Sequence, residues 1–262
     1  MPDISKLEKP PMRALHIFYV LDTSGSMTGT PIATLNRAME ETIEILKKQA
    51  KSQADALLKV AVLEFNSGCK WMQAAGPEEM EDFVWEDLSA GGLTDVGAAL
   101  RELNSKLSRK AFLDSMTGAF IPVIIFMTDG CATDDYKKAL AEIRQNKWFH
   151  RATKIGFAIG DDPDMTMIAD VVGTIEAVVK TDDLELFARL IKFASVTSSM
   201  LCSSSVTTTQ TVTGADILKI AKQQGEAPDS ITQKDPIKYD PEPVPAPDPD
   251  PEWGEDGDGD WD

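Results

Sequence analysis

Two hydrophobic rhythms alternate along the chain. Residues 15–21 (LHIFYVL) form a continuous apolar run of strand length, whereas residues 32–52 place Ile32, Leu35, Met39, Ile43, Leu46 and Ala50 three or four apart, as a one-faced helix does. The same change of period recurs downstream. LLKVAVLEFN (57–66) reads as a strand, FVWEDL (83–88) as a short strand, and residues 94–109 as a helix with Val96, Leu100, Leu103 and Leu107 on one side. IPVIIFMTDG (121–130) is a second strongly apolar strand. A helix over 134–146, a strand at TKIGFAIGDD (153–162), a short helix at 164–171, a strand at TIEAVVK (174–180) and a helix from Asp182 to about residue 198 complete the series. Strands apolar on both faces, alternating with amphipathic helices, predict an α/β fold: a doubly wound, mostly parallel sheet with helices on both faces. The pattern places this domain at residues 13–200, after an N-terminal extension of residues 1–12.

Beyond residue 200 the pattern dissolves. Residues 195–213 are rich in Ser and Thr, and ADILKIAKQQ (215–224) has the make-up of a short helix, so 201–234 reads as a linker carrying one helix. Residues 235–262 hold eleven Asp and Glu against one Lys, and proline occupies every second position from 241 to 251. Such a segment can form neither helix nor ladder, and a disordered acidic tail is expected.

Charge and cysteine content narrow the function. With 262 residues, 42% of them hydrophobic, the chain can bury one sizeable core. Its formal net charge of -17 disfavours nucleic acid and anionic membrane surfaces as partners. Cys69, Cys131 and Cys202 are odd in number and lack CxxC spacing, and His16 and His150 are far apart in sequence. Neither a disulfide framework nor a zinc cluster is expected, and a reducing, cytoplasmic setting fits best. The N-terminus has too short an apolar run for a signal peptide or a membrane span.

The chemistry gathers where strands end. In an open parallel sheet, ligands bind beyond the carboxyl ends of the strands. At the end of the first apolar run, FYVLDTSGSMTG (18–29) sets Asp22, Ser24 and Ser26 in a D-x-S-x-S pattern. Thr94 in GGLTD lies just before a helix, and Asp129 in FMTDG ends the second apolar strand. Carboxylates and hydroxyls are the ligands of a hard divalent cation, and Mg2+ accepts few protein ligands while keeping several waters. Two carboxylates and three hydroxyls would roughly neutralise Mg2+ or Mn2+ and leave one coordination position for an external ligand.

DTSGSM, GLTD and TDG, in that order and on those elements, resemble the von Willebrand factor A (VWA) domain and its metal-ion-dependent adhesion site (MIDAS), over about residues 13–198. The resemblance implies that Asp22, Ser24, Ser26, Thr94 and Asp129 are the metal site. Ser24, Ser26 and, in the ligand-ready form, Thr94 would contact the cation directly, and the aspartates would act directly or through water. It also implies that a protein partner supplies a Glu or Asp to the metal and that the chain is not an enzyme. The DTSGSM form, the short chain and the Ser/Thr-rich FASVTSSM continuation resemble the bacterial TerY-like proteins of tellurium-resistance and stress systems. A protein kinase and a protein phosphatase are the partners which that resemblance implies.

Other readings compete. D-x-S-x-S alone is a turn or a cap, and Thr94 alone a helix N-cap. Asp22, a strand ending in Thr128 and the later GDDPD (160–164) loosely resemble Mg-dependent phosphatases of the haloacid-dehalogenase type, with Asp22 as nucleophile. Those enzymes need a second Asp two residues on as general acid and base, and Ser24 stands there. Cys131 is read as a small filler beside the site, His16 as a packed histidine, and the DGDGD near residue 258 as part of a solvated acidic arm rather than a calcium loop. Trp253 and Trp261, flanked by acids, are suited to docking in a basic groove.

Overall fold

The computed structural model describes residues 12–52, 56–115, 118–160, 163–203 and 212–228. The acidic tail at 235–262 and the first eleven residues of the N-terminal extension lie outside them.

Strand β1 (Arg13–Asp22) leads through a 3-10 turn at Gly25–Met27 into helix α1 (Thr30–Ser52) and strand β2 (Ala56–Asn66). Two short strands, β3 (Gly68–Trp71) and β4 (Glu78–Glu79), precede α2 (Val96–Lys106) and β5 (Val123–Thr128). Then follow α3 (Tyr136–Ile143), α4 (Lys147–Arg151), β6 (Thr153–Ile159), α5 (Met165–Val172), β7 (Val178–Thr181), α6 (Leu184–Ser203) and α7 (Gly214–Gln223). The sheet runs β3-β2-β1-β5-β6-β7, with β4 also on β2; β3 and β4 are antiparallel and every other pairing is parallel.

Alternate residues of β1 explain the layers. Leu15, Ile17, Tyr19 and Leu21 pack with α1, α6 and α7, while Phe18 and Val20 pack with α2, α3 and α5 on the other face. Both faces of the central strands are therefore buried, and the expected doubly wound α/β architecture is the observed one.

Three local expectations need correction. FVWEDL forms no strand: Phe83 is buried in the core while the neighbouring Val84 is 67% exposed, and the segment has no ladder partner. The single helix expected over 134–146 ends at Ile143, because the Asn146 side chain accepts from the amides of Trp148 and Phe149 and starts α4. Helix α6 continues to Ser203, where the Ser/Thr-rich stretch had suggested an end near 198. Ser195, Ser198 and Ser199 face inward, and Ser195 accepts a hydrogen bond from the buried Tyr19 hydroxyl at 2.8 Å. Within the 201–234 stretch, Ile217, Leu218 and Ala221 of α7 join the core. Gly214 abuts the sheet so closely that an added Cβ would stand 1.9 Å from the Lys154 carbonyl oxygen.

Candidate metal centre

Strand order reverses at β1. Its parallel neighbours are β2 and β5, one on each side, so the crossover connections diverge and leave a crevice beyond the carboxyl ends of β1 and β5. Asp22 is the last residue of β1, and Asp129 directly follows Thr128, the last residue of β5. The continuous apolar runs that make these strands thus carry the two acids to one place.

Asp22 is buried and held from two sides. The Ser24 amide donates to Oδ1 at 2.7 Å and the Thr128 hydroxyl donates to Oδ2 at 2.5 Å. Above it, Ser24 Oγ and Ser26 Oγ share a hydrogen bond at 3.0 Å, and Ser26 Oγ donates to Asp129 Oδ1 at 2.8 Å. A Cβ built on Gly130 would stand 3.9 Å from both Ser26 Oγ and Thr94 Oγ1, which places the Thr94 hydroxyl beside the same cluster. All five residues singled out in the sequence are brought together.

A second set of residues holds the loop that carries Thr94. The Gly91 amide donates to the Thr23 carbonyl at 2.8 Å, and the Gly25 amide to the Gly92 carbonyl at 3.0 Å. Gly92 adopts φ +86°, where a side chain is strained and its Cβ would stand 2.7 Å from Ser67 Oγ. The Thr94 amide donates to Thr133 Oγ1 at 3.0 Å, and Thr133 Oγ1 donates to Asp95 Oδ1 at 3.1 Å. Asp95 Oδ2 in turn accepts from the Gly68 amide at 2.8 Å. Thr94 is not the cap of α2. Asp134 takes that role from outside the helix, accepting from the amides of Gly97 and Ala98 at 2.8 and 2.9 Å. Sequence reading missed Thr133, Asp95 and Asp134. The paired acids after TDGCAT were the available signal, but the amides that Asp134 accepts from lie 36 and 37 residues away.

The electrostatics suit a cation. Burial raises the pKa of Asp22, against the hydrogen bonds from Thr128 and Ser24, and the nearby Asp129 raises it further. Burial likewise raises Asp129, against the Ser26 hydroxyl. No Lys or Arg among the described residues contributes to either acid. Two partly desolvated carboxylates of like charge, rimmed by three hydroxyls, form a donor set fitted to a hard divalent ion. Among the described residues no group of three or more His, Cys, Asp or Glu gathers around a metal-sized site, so such an ion depends on hydroxyl oxygens here. Around the mouth, Cys131 is exposed and Leu93, next to Thr94, is 56% exposed.

The phosphatase alternative finds no support. Both oxygens of Asp22 are engaged and its side chain has no access to solvent, so it cannot attack a substrate. Asp164 of the GDDPD segment caps α5 by accepting from the Met167 amide; residues 161 and 162 lie outside the described residues.

Comparison with known proteins agrees with this fold. A solved von Willebrand factor type A protein from Catenulispora acidiphila aligns with a TM-score of 0.54 at 18% identity, over 71% of this chain and 43% of that one. Proximal thread matrix protein 1 from the mussel byssus, solved with a zinc-occupied MIDAS motif, aligns with a TM-score of 0.50 at 16% identity, over 70% and 47%. A mutant PilB minor pilin from Streptococcus sanguinis gives 0.53 at 13% identity, over 76% and 64%. The chain spans less than two thirds of each of these proteins, and the likeness concerns the fold. No curated protein matches the chain. The model of the von Willebrand factor type A domain matches residues 16–189, about two thirds of the sequence, and the chain belongs to that family.

Proposed function

We propose that Asp22, Ser24, Ser26, Thr94 and Asp129 form a MIDAS, and that this chain is a non-enzymatic, cytoplasmic adaptor that grips a protein partner through it. The hydroxyls of Ser24, Ser26 and Thr94 and the carboxylate of Asp129 would hold Mg2+ or Mn2+, with Asp22 fixing Ser24 from below. When bound, the cation offers one position to an Asp or Glu of the partner. Metal and partner then stabilise each other, because the cation gains an anionic ligand and the partner's acid is brought beside two carboxylates only with the cation between them. The observation that carries this reading is the Ser24–Ser26–Asp129 hydrogen-bonded chain above the buried Asp22, with no basic side chain among the described residues to neutralise the acids. The zinc-occupied MIDAS of the mussel byssus protein supports a divalent ion in this type of site. The resemblance to TerY-like proteins supports a place in tellurium resistance or stress signalling, with a protein kinase and a protein phosphatase as partners.

The test is affinity purification of the tagged full chain in Mg2+ or in EDTA, followed by mass spectrometry. A partner retained in Mg2+, lost in EDTA and lost in Ser24→Ala, Ser26→Ala and Asp129→Ala is expected. EDTA-sensitive binding that persists in all three variants would overturn the proposal.

A further inference from the structure

Residues 83–95, which end in the loop that carries Thr94, form neither helix nor strand, so the place of the Thr94 hydroxyl is set by the segments that bond to this loop. The loop after β1 binds Gly91 and Gly92, and the loop after β5 binds Thr94 through Thr133. Both of those loops also carry proposed metal ligands. The remaining support is the turn between β2 and β3, Asn66-Ser67-Gly68, which carries none. The Leu93 amide donates to Ser67 Oγ at 3.0 Å, and the Asp95 amide donates to the Asn66 carbonyl at 2.9 Å.

These bonds bracket Thr94. The peptide unit before its Cα is held by Thr133, to which the Thr94 amide donates at 3.0 Å, and the unit after it is held by Asn66 through the Asp95 amide. Peptide units are planar, so fixing both of them fixes the direction in which the Thr94 side chain leaves the backbone. Ser67 secures the next unit upstream, and its Oγ lies so close to Gly92 that an added Cβ there would stand 2.7 Å away. The turn is in turn referenced to the buried acid of the site. Phe65 pairs with Asp22 in the β1–β2 register and its carbonyl accepts from the Thr23 amide at 2.8 Å, while Asn66 Nδ2 donates to Thr23 Oγ1 at 3.1 Å. Gly68, the ladder partner of Asn66, closes the turn at φ +96°, a conformation that favours glycine.

We infer that Ser67, beside the Asn66 carbonyl, is a positioning residue for the candidate metal centre: it holds the Leu93–Asp95 backbone where the Thr94 hydroxyl stands next to Ser26, and it thereby sets the affinity for the cation without touching it. The inference rests on the metal reading proposed above. A loop held in place before the ion arrives loses less freedom when the ion binds, and that saving appears as affinity. Ser67 is exposed at the sheet edge whereas Ser24 and Thr94 are buried, so the affinity is set from a part of the surface that supplies no ligand.

The experiment titrates Mn2+ alone into the full chain and follows the EPR signal of the free ion, in the wild type, Ser67→Ala, Thr94→Ala and the double variant. Ser67→Ala is expected to weaken binding about tenfold, the lower end of the range for residues that orient metal ligands. Its melting temperature in EDTA is expected to stay at the wild-type value, because an exposed turn hydroxyl contributes nothing to the core. Thr94→Ala is expected to weaken binding as well, and adding Ser67→Ala to it to change nothing more, since Ser67 acts through the Thr94 hydroxyl. Wild-type affinity in Ser67→Ala would overturn the inference. So would an equal loss from Ser67→Ala in the Thr94→Ala background, which would mean that Ser67 acts on the fold at large. Asp129→Ala separates this inference from the reading beneath it. Wild-type Mn2+ binding in Asp129→Ala would overturn the metal reading itself, whereas loss there with none in Ser67→Ala would overturn the positioning role alone.

Discussion

Ser26 Oγ donates to Asp129 Oδ1 across 2.8 Å and 103 residues of sequence, so the loop after β1 and the loop after β5 are joined by a hydrogen bond to an acid that burial makes reluctant to ionise. This pairing gives Asp129→Asn two opposite effects. Without metal the amide keeps an acceptor for Ser26 and removes one of two repelling carboxylates, so the variant is expected to melt at or above the wild-type temperature in EDTA. With Mg2+ at 100 times its Kd the wild type is expected to gain about 2.7 kcal/mol, or roughly 5–10 °C for a domain of this size, and the variant to gain nothing. Calorimetry of both proteins in Mg2+ and in EDTA checks the crossing. A Mg2+ shift that survives in Asp129→Asn would remove that acid from the ligand set.

Asp134 holds the first turn of α2, and so the loop ahead of it, through the amides of Gly97 and Ala98. Asp134→Ala is expected to cost about 1–2 kcal/mol, the upper part of the range for a lost helix cap, because these amides have no substitute within the helix. Asp134→Asn, which keeps an acceptor, is expected to cost less. Urea unfolding of the two variants makes the comparison. If the candidate metal centre depends on the Thr94 loop being held, Mg2+ affinity also falls in Asp134→Ala although that residue is not a ligand, and an unchanged affinity would confine Asp134 to stability.

The contrast between Asp129 and Asp134 explains what was legible in the sequence. Asp22, Ser24, Ser26 and Asp129 sit at the ends of β1 and β5, whose apolar runs are unbroken because both faces are buried; the strand signal and the site signal are continuous. Thr133, Asp95 and Asp134 act on amides of other loops, and nothing local distinguishes them from ordinary turn residues. The same holds for secondary structure. GCKW and Glu78–Glu79 pair antiparallel with β2 at the sheet edge, where pairing follows the turn at Asn66–Gly68 rather than any hydrophobic period. FVWEDL has strand-like composition but no neighbouring strand, and Phe83 and Leu88 enter the core while Val84 faces solvent.

Gly214 reports whether α7 is integral to the domain. An added methyl would meet the Lys154 carbonyl oxygen at 1.9 Å and Ala177 Cβ at 3.1 Å, and neither can swing away as the end of a flexible side chain would. Gly214→Ala is expected to displace the start of α7 and to cost about 1–3 kcal/mol, as overpacking does. Hydrogen exchange should accelerate over residues 214–223 and much less in β1. Uniform acceleration across the sheet would mean that α7 and the sheet open as one cooperative unit.

His16 ties stability to pH. It lies in β1, stacked on Phe18 at 6.2 Å between centroids, and neither imidazole nitrogen has a hydrogen-bond partner among the described residues. Burial, with a smaller contribution from Lys59, its register partner on β2, lowers the folded-state pKa from 6.5 to about 3. Between those values the unfolded chain binds the proton that the folded chain refuses. Stability contributed by neutral His16 is thus complete above about pH 6.5 and is lost as pH falls toward about 3, by up to about 1.4 kcal/mol per unit. Carboxylates titrate over the lower part of the same window, so the informative quantity is the difference from a variant without the group. His16→Leu keeps comparable volume and removes no hydrogen bond, and it is expected to be at least as stable as the wild type at pH 7. Its advantage should widen as the pH is lowered to 5. Parallel stability curves for the two proteins from pH 7 to 5 would show that His16 is protonated, and paired, in the folded state.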